Sequence, residues 1–530
     1  MAAIRSALRH GMERVESGFD AAYGTDWNPL YHLGALGWFF FWIITISGIY
    51  LYIFFDSGVD QAYESVEYMT HVQWYAAGIM RSLHRYASDA FVVVVLAHLV
   101  RQWIKGNYRD ARWFAWVTGV PLLWLMYASG ISGYWIVWDS LAQYVALATT
   151  EWLDTLPVFG EPIARNFLHE STLSGRFFTL MVFIHIAVPL TMLFLMWVHI
   201  QRHMYPRVNP PRGLMIGTFG MLMVLSVVYP AVSQDKADLS RVVAQVGLDW
   251  FYLPLYPLLD LYPGQALWGA LVGTTLVLII LPFLPPWRRA RAAVVDLDNC
   301  NGCGRCVADC PYSAVSLRPR TDGASYSHEA VVSYEKCVSC GICVGACPTS
   351  TPFRRRSDLI PGIDLPDLPM AALRDNLVAS AGELNEHPRV LVIGCGAGVS
   401  LDALSRPGVA TKELTCVGQL PPSFIDFLIT RGHVEGVFVT GCRDGDCEYR
   451  LGQQWTEARL YQERDPHLRR RVPRDRIRTF WAGRDRAAAA GRELDRFQAT
   501  LRELGDDAPK RIGGGEASRQ APGVRAAGHG

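Results

Sequence analysis

The sequence predicts a multidomain membrane protein, an all-α transmembrane bundle of six helices followed by two smaller cysteine-bearing domains. Three observations predict it. Half of the 530 residues are hydrophobic, with 17 Trp and only 19% charged residues. The long apolar runs fall before residue 285, and all 12 cysteines fall after residue 299. Four histidines recur inside two of the apolar runs at one shared spacing. A net charge of +1 implies no extended basic face and so excludes nucleic acid as a partner. The runs Arg354–Arg356 and Arg469–Arg471 read as solvated faces. The first thirty residues are polar and mixed in charge, an N-terminal segment (1–30) without the apolar core of a cleavable signal.

Six spans meet the ~20 residues that a bilayer requires. They are 32–55, 78–104, 113–137, 176–202, 213–232 and 265–284, within a membrane domain of residues 31–285. The second carries Arg81, Arg85 and Asp89, charges that are expensive in plain lipid and tolerable near an interface or a charged ligand. Basic residues mark one set of loops: Arg101, Lys105, Arg109 and Arg112, then Arg202, Arg207 and Arg212, then Arg288, Arg289 and Arg291. Acids mark the other: Asp56, Asp60, Glu64, Glu67, Glu151, Asp154 and Glu161. The positive-inside rule therefore expects a multi-pass protein of the cell inner membrane with both termini and the cysteine-bearing domains in the cytoplasm.

The histidines lie in "RSLHRYASDAFVVVVLAHLVR" (His84 and His98) and "FFTLMVFIHIAVPLTMLFLMWVHIQRH" (His185 and His199), 14 residues apart in each. Fourteen residues make nearly four helical turns, so both rings share one face about 21 Å apart. One metal cannot use both, whereas two metals stacked across the membrane can. A satisfied interior polar group explains a lone histidine but not two equal spacings, and ionisable groups inside membrane helices are functional by default. The orientation pairs His84 with His185 towards the outer face and His98 with His199 towards the inner. Imidazole suits iron, and two bis-histidine haems are the expected occupants.

Residues from about 25 to 285 resemble cytochrome b of the quinol–cytochrome c oxidoreductases. Gly34 and Gly48, and Gly119 and Gly133, repeat the 14-residue spacing, and the resemblance implies that they let haem faces approach the backbone. "RSLH", "HLVR" and "GRFFTLMVFIHIAVPL" match family segments and imply that Arg81, Arg101 and Arg176 partner haem propionates. "LDWFYLPLYPL" stands where the family forms an outer quinol site; its proline and tyrosine are replaced, but Asp249 remains as a candidate catalytic carboxylate that accepts a quinol proton. His203 falls where the family has a quinone-contacting histidine, with a solvated loop residue as the alternative. Quinone, the lipid bilayer and a second copy of the chain are the partners expected of this domain.

Eight cysteines form two copies of one pattern: Cys300, Cys303, Cys306 and Cys310 before Pro311, then Cys337, Cys340, Cys343 and Cys347 before Pro348. This is the two-cluster bacterial ferredoxin run, expected as an α+β domain over 286–360 with two 4Fe–4S centres. By the ferredoxin rule the fourth cysteine of each run crosses over. One centre takes Cys300, Cys303, Cys306 and Cys347; the other takes Cys337, Cys340, Cys343 and Cys310. The stretch from Trp287 to Cys300 reaches at most about 45 Å, which tethers this domain near the inner haem.

After a linker (361–387), residues 388–483 hold Cys395, Cys416, Cys442 and Cys447. "RVLVIGCGAGVS" reads as a buried strand and a glycine-rich turn, but its glycines alternate instead of forming G-x-G-x-x-G, and no acidic residue follows a second strand at the distance a dinucleotide site needs. "GCRDGDCEYRLG" resembles the delta subunit of methyl-viologen-reducing hydrogenases, a small α/β iron–sulfur domain, with Glu448 in place of a histidine. The resemblance implies one 2Fe–2S centre on the four cysteines, with zinc as the alternative occupant, and a heterodisulfide-reductase-like or other cytoplasmic flavoprotein as partner. Residues 484–530 read as a helical tail that becomes disordered.

The expected function is a membrane electron-transfer subunit of a quinone-dependent oxidoreductase, with the substrate or NAD(P) site on another chain. The alternatives are a membrane anchor or a redox-sensing module of a hydrogenase-like complex.

Overall fold

Five helices among the described residues are long and apolar enough to cross a membrane: Leu33–Phe54, Trp74–Lys105, Trp113–Trp135, Gly175–Ile200 and Gly264–Phe283. The computed structural model describes residues 2–109, 112–158, 162–163, 166, 168, 172–201, 208–285, 290–354 and 359–505. His203, Arg202, Arg207, Glu161, Arg288, Arg289, Arg355 and Arg356 lie outside the described residues. The chain divides into two units: residues 1–290 with 311–314 and 334–338, and the remainder.

The first unit is helical. Its main elements are α1 (Ala2–Tyr23), α2 (Leu33–Phe54), α3 (Gln61–Glu67), α4 (Ile79–Lys105), α5 (Trp113–Trp135), α6 (Ser140–Asp154), α7 (Gly175–Ile200), α8 (Arg212–Val228) and α9 (Gly264–Ile280). The fifth expected span, 213–232, is the 17-residue α8. It stops because Tyr229 precedes Pro230 and takes φ −133°, ψ 76°; a residue before proline is driven out of the helical region. The helix therefore sits at the short limit of a bilayer-spanning length.

Helix α2 packs along α4, and α5 along α7. Phe40, Phe41, Leu83, Phe91, Met126 and Phe178 are buried in their common core. Residues 2–23, read as part of a polar segment, form a 22-residue helix. Its buried Glu16 receives the Arg101 Nε–H at 2.9 Å. A carboxylate so placed would be costly without that partner.

The second unit begins with two small antiparallel sheets, in which β1 (Val294–Val295) pairs with β4 (Ile363–Asp364) and β2 (Val315–Pro319) with β3 (His328–Val332). Short helices α10 (Arg305–Asp309) and α11 (Ile342–Gly345) each start after a left-handed glycine, Gly304 (φ 75°) and Gly341 (φ 78°), a conformation glycine enters without a Cβ penalty. Helix α12 (Met370–Gly382) buries Met370, Leu373, Leu377 and Ala381. Residues 361–387, expected as a linker, thus hold a strand and a packed helix.

The last part is α/β: β5 (Val390–Cys395), β6 (Val409–Leu414), α13 (Pro422–Thr430), β7 (Gly436–Gly441), α14 (Gly452–Leu460), β8 (Ile477–Trp481) and α15 (Ala487–Glu503). The four strands are parallel in the order β6-β5-β7-β8. The inner strands β5 and β7 are buried at every residue, as continuous apolar runs in a parallel sheet should be. Helix α15, expected in a tail, places Ala490, Leu494, Phe497 and Leu501 in one core with Val390, Val392 and Phe438.

Phe497→Ala should therefore leave a void against β7 costing about 3–5 kcal/mol. Hydrogen exchange of the Val437–Val439 amides in the intact chain is expected to accelerate accordingly. Unchanged protection would show that α15 is not part of this core.

Candidate cofactor-binding sites

Each of the four membrane histidines is set against a glycine on the antiparallel neighbouring helix. A Cβ on Gly48 would lie 3.0 Å from His84 Cε1, and one on Gly34 would lie 3.3 Å from His98 Cε1. On the other helix pair, Gly133 and Gly119 stand in the same relation to His185 and His199, at 2.9 and 3.4 Å. The sequence reading set these glycines against haem faces, whereas here they make room for the imidazoles that would hold the iron. Equal spacings on both helices of each pair make the two contacts compatible.

Hydrogen bonds then orient the rings. His84 Nδ1 donates to the Ile44 carbonyl at 2.9 Å, with Ser47 Oγ at 3.1 Å. His185 Nδ1 donates to the Ser129 carbonyl at 2.9 Å, with Ser132 Oγ at 3.3 Å. His199 bonds the Ala115 backbone and has Thr118 Oγ1 at 3.1 Å from Nδ1. A carbonyl can only accept, so Nδ1 carries the proton and Nε2 keeps a lone pair for a metal. Ser47, Thr118 and Ser132 each precede the paired glycine, a hydroxyl–glycine signal that sequence reading passed over. Leu33 stands at the fourth position.

The His84 and His185 ring centroids are 6.3 Å apart. An imidazole nitrogen binds a first-row metal at about 2 Å and its ring centre lies about 1 Å further, so two axial imidazoles would sit roughly 6 Å apart. The pair fits a bis-histidine haem iron. His98 and His199 are within electrostatic reach of each other.

The arginines carried over from the resemblance have protein partners in two cases. Arg81 donates to Thr70 and, at 2.8 Å, to Ser233 Oγ. Arg101 holds Glu16 and lies 5.5 Å over the Tyr31 ring. Arg176 is exposed at the start of α7.

Asp249 is buried. It does not pair with Arg241, which bonds Asp238 at 3.2 Å. Its Oδ2 lies 2.8 Å from an Arg85 nitrogen and accepts the Tyr134 hydroxyl, and its Oδ1 accepts the Phe251 amide at 2.7 Å. Arg85 also holds Asp89 at 2.8 Å. Arg85 follows His84 in α4, so this charged network adjoins the His84–His185 pair. A Cβ on Gly130 would lie 2.1 Å from the Tyr252 ring, whose hydroxyl donates to the Ser88 carbonyl at 3.2 Å. Arg85, noted in the sequence only as a charge within a span, and Tyr134 and Tyr252, which the sequence did not single out, complete these contacts.

In the second unit Cys300, Cys303, Cys306 and Cys347 line one cavity with Gly302, Gly304, Pro348 and Ile363. Burial, then the neighbouring Cys347, Cys303 and Cys300 thiols, push the Cys306 thiol up to about 12. A buried thiol that resists ionising, crowded by three others, is the chemistry a multivalent metal centre relieves, because the ligand must be a thiolate. Cys310, Cys340 and Cys343 are buried in the same unit, and Cys337 lies in the segment 334–338 assigned to the other.

In the last part, Cys395 ends β5 and Cys442 follows β7, with their sulfurs 3.5 Å apart. Cys442 and Cys447 share a hydrogen bond. Burial and the nearby Cys447, Cys340 and Cys442 thiols hold the Cys416 thiol well above its ordinary value. Cys416 Sγ accepts the Gly418 amide at 3.4 Å, and Cys442 Sγ accepts the Glu448 amide at 3.4 Å. Such bonds favour the thiolate. Cys395, Cys442 and Cys447 thus form a chain of contacts, with Cys416 within electrostatic reach of Cys442 and Cys447.

Comparison with known proteins divides the chain in the same way. The family "Cytochrome b/b6/petB" matches residues 20–204, "4Fe-4S dicluster domain" residues 299–351 and "Methyl-viologen-reducing hydrogenase, delta subunit" residues 397–505. Cytochrome b of Strobilurus tenacellus is 28% identical over 268 residues, 45% of this chain and 67% of its own. Cytochrome b of Rhodospirillum rubrum is 25% identical over 290 residues, 48% and 70% of the two chains. Among solved structures, "Hyperthermophilic respiratory Complex III" aligns with 48% of this chain and 75% of its own, at 20% identity and a TM-score of 0.39. The chain carries a cytochrome b domain, a 4Fe–4S dicluster domain and a hydrogenase delta-subunit-like domain, in that order. It is an integral membrane protein whose domains bind haem b and 4Fe–4S clusters.

The glycine distances differ enough to test. Gly133→Ala forces the His185 ring to move and should cost about 1–3 kcal/mol of packing, lowering haem occupancy at the outer pair. Gly119→Ala, with its contact at 3.4 Å, should leave the inner pair loaded. Haem content and optical spectra of the purified variants read both; equal loss in the two would remove the assigned role of the imidazole contact.

Proposed function

We propose that the chain is a membrane subunit passing electrons between the quinone pool and a cytoplasmic redox partner, most simply a flavoprotein of the heterodisulfide-reductase kind. The observation that carries this reading is the presence, on one polypeptide, of two stacked histidine pairs and three sets of cysteines. Bound haems and iron–sulfur clusters supply one-electron couples, and the chain supplies their ligands and their order. His84 with His185 and His98 with His199 hold two haems; Cys300, Cys303, Cys306 and Cys347 hold one 4Fe–4S centre; Cys310, Cys337, Cys340 and Cys343 hold the other. Cys395, Cys416, Cys442 and Cys447 hold a 2Fe–2S centre. Loop charge places the iron–sulfur domains in the cytoplasm.

The quinone site of this proposal lies beside Asp249. Quinone chemistry moves protons with electrons, and Asp249, Tyr134 and Arg85 form a buried network next to His84 that can take up and return a proton. Trp250 and Phe251 are exposed rings beside the carboxylate, suited to an apolar head group. Because both Asp249 oxygens are already engaged, proton transfer there requires Tyr134 or Arg85 to yield its hydrogen bond.

Asp249→Asn keeps the shape and removes the acceptor, so quinone turnover should fall about a hundredfold or more with both haem spectra intact. Wild-type turnover in Asp249→Asn would place the quinone site elsewhere. Metal analysis of the full chain should find about ten non-haem irons, as two four-iron centres and one two-iron centre require. About eight irons with stoichiometric zinc would replace the 2Fe–2S assignment.

A further inference from the structure

The ferredoxin part and the last domain meet through a joint built around the fully buried Arg459. Its guanidinium donates to the Gly418 carbonyl at 2.9 Å, to the Ile342 carbonyl at 3.2 Å and to Asp309 Oδ2 at 2.5 Å. Asp309 immediately precedes Cys310 and is also bonded by Arg464 Nε at 2.8 Å. Ile342 lies between Cys340 and Cys343, and Gly418 lies two residues after Cys416. One cation thus ties together the end of α10, the start of α11 and the turn after Cys416, each beside a candidate ligand.

The surfaces there are cut close. A Cβ on Gly345 would lie 2.1 Å from the Gly418 carbonyl oxygen, and one on Gly418 would lie 2.7 Å from Ile342 Cγ1. A Cβ on Gly452 would lie 2.1 Å from Cys416 Sγ and 3.5 Å from Ile342 Cδ1. Burying an arginine is costly, and the bonds above offset that cost although Nε has no partner among the described residues, so a cation at this position specifies one fixed approach of these segments. Cys340 is also among the thiols acting on Cys416.

We propose that this contact is the electron-transfer joint between the two iron–sulfur parts, that the centre holding Cys340 and Cys343 faces the centre holding Cys416, and that Arg459 is the positioning residue between them. One electron crosses per event: one centre is oxidised by one, the other is reduced by one, and no covalent bond changes. The inference rests on the cluster assignments above but not on the quinone site.

The test uses the full-length protein and EPR-monitored redox titration, with iron and zinc counted in each preparation. Arg459 places a positive charge between two centres that gain negative charge on reduction, so Arg459→Met should make both harder to reduce. At each of them the equilibrium constant for reduction should fall about tenfold, 59 mV for a one-electron couple. The remaining ferredoxin centre and both haems should keep their potentials, and Arg459→Lys should restore most of the shift. No shift at the last-domain centre, or an equal shift at all centres, overturns the proposal.

A second measurement covers the case in which Arg459→Met loses iron. Microwave-power saturation of the last-domain signal should show slowed relaxation in Cys340→Ser and wild-type relaxation in Cys303→Ser. Slowing in Cys303→Ser with none in Cys340→Ser assigns the joint to the other centre and overturns the inference alone. Stoichiometric zinc and no last-domain signal overturn the inference and the 2Fe–2S reading together.

Discussion

Four imidazoles must be housed in an apolar bundle, and the rest of the membrane unit is arranged around that requirement. A ring of that size on one helix leaves little room for a side chain opposite it, least of all at Gly133, and a glycine faces each histidine. An unsatisfied ring N–H in a low-dielectric interior is expensive, so a backbone carbonyl or hydroxyl of the facing helix accepts from the ring where the bonds are seen. These two needs set the register of α2 against α4 and of α5 against α7. With Nδ1 of His84, His185 and His199 so occupied, Nε2 of each keeps its lone pair for a metal.

The buried charges follow a second common logic. Glu16 with Arg101, Asp249 with Arg85, and Asp309 with Arg459 are each a carboxylate held by a guanidinium from an element distant in sequence. Pairs of this kind add little net stability after desolvation, but removing either partner strands the other. Their effect is to specify arrangement: they tie α1 to the end of α4, the loop before α9 to α4, and α14 to the end of α10 just ahead of Cys310. Asp426 repeats the pattern at the surface. It is fully buried and held by Arg471 at 2.7 and 2.8 Å, so a cluster that read as a solvated face carries a structural cation.

The parts legible in the sequence were those encoded by local spacing. The 14-residue histidine repeat and the two cysteine runs need no knowledge of the fold, because helical pitch and ligand spacing are set within a few turns. Partners were harder. Asp249 was visible as a lone acid, but Tyr134 is 115 residues away, and nothing local distinguishes it from the chain's other tyrosines. The glycine repeat showed which helix face was crowded, not whether a ring or a haem crowded it. Helix α15 was read as a tail because its composition is Arg-, Glu- and Ala-rich. Its buried stripe of Ala490, Leu494, Phe497 and Leu501 has helical spacing, and only Leu494, Phe497 and Leu501 are large. Pro230 is the plainest local cause that was overlooked, since it ends α8 four residues short of the hydropathy boundary.

The strand order of the last domain has a consequence for what its partner must bring. In β6-β5-β7-β8 the chain direction of travel across the sheet reverses between β5 and β7, and open parallel sheets bind their ligands in the crevice at the carboxyl ends of such a strand pair. In nucleotide-binding proteins that crevice takes a pyrophosphate. Here the positions at its mouth are Cys395 and Cys442, with their sulfurs in contact range. The glycine-rich turn after β5 is therefore at the place where a nucleotide would lie, and thiols fill it. A single crevice has a single tenant, so a nicotinamide or flavin that exchanges electrons with this domain would have to reach it from outside the crevice between β5 and β7.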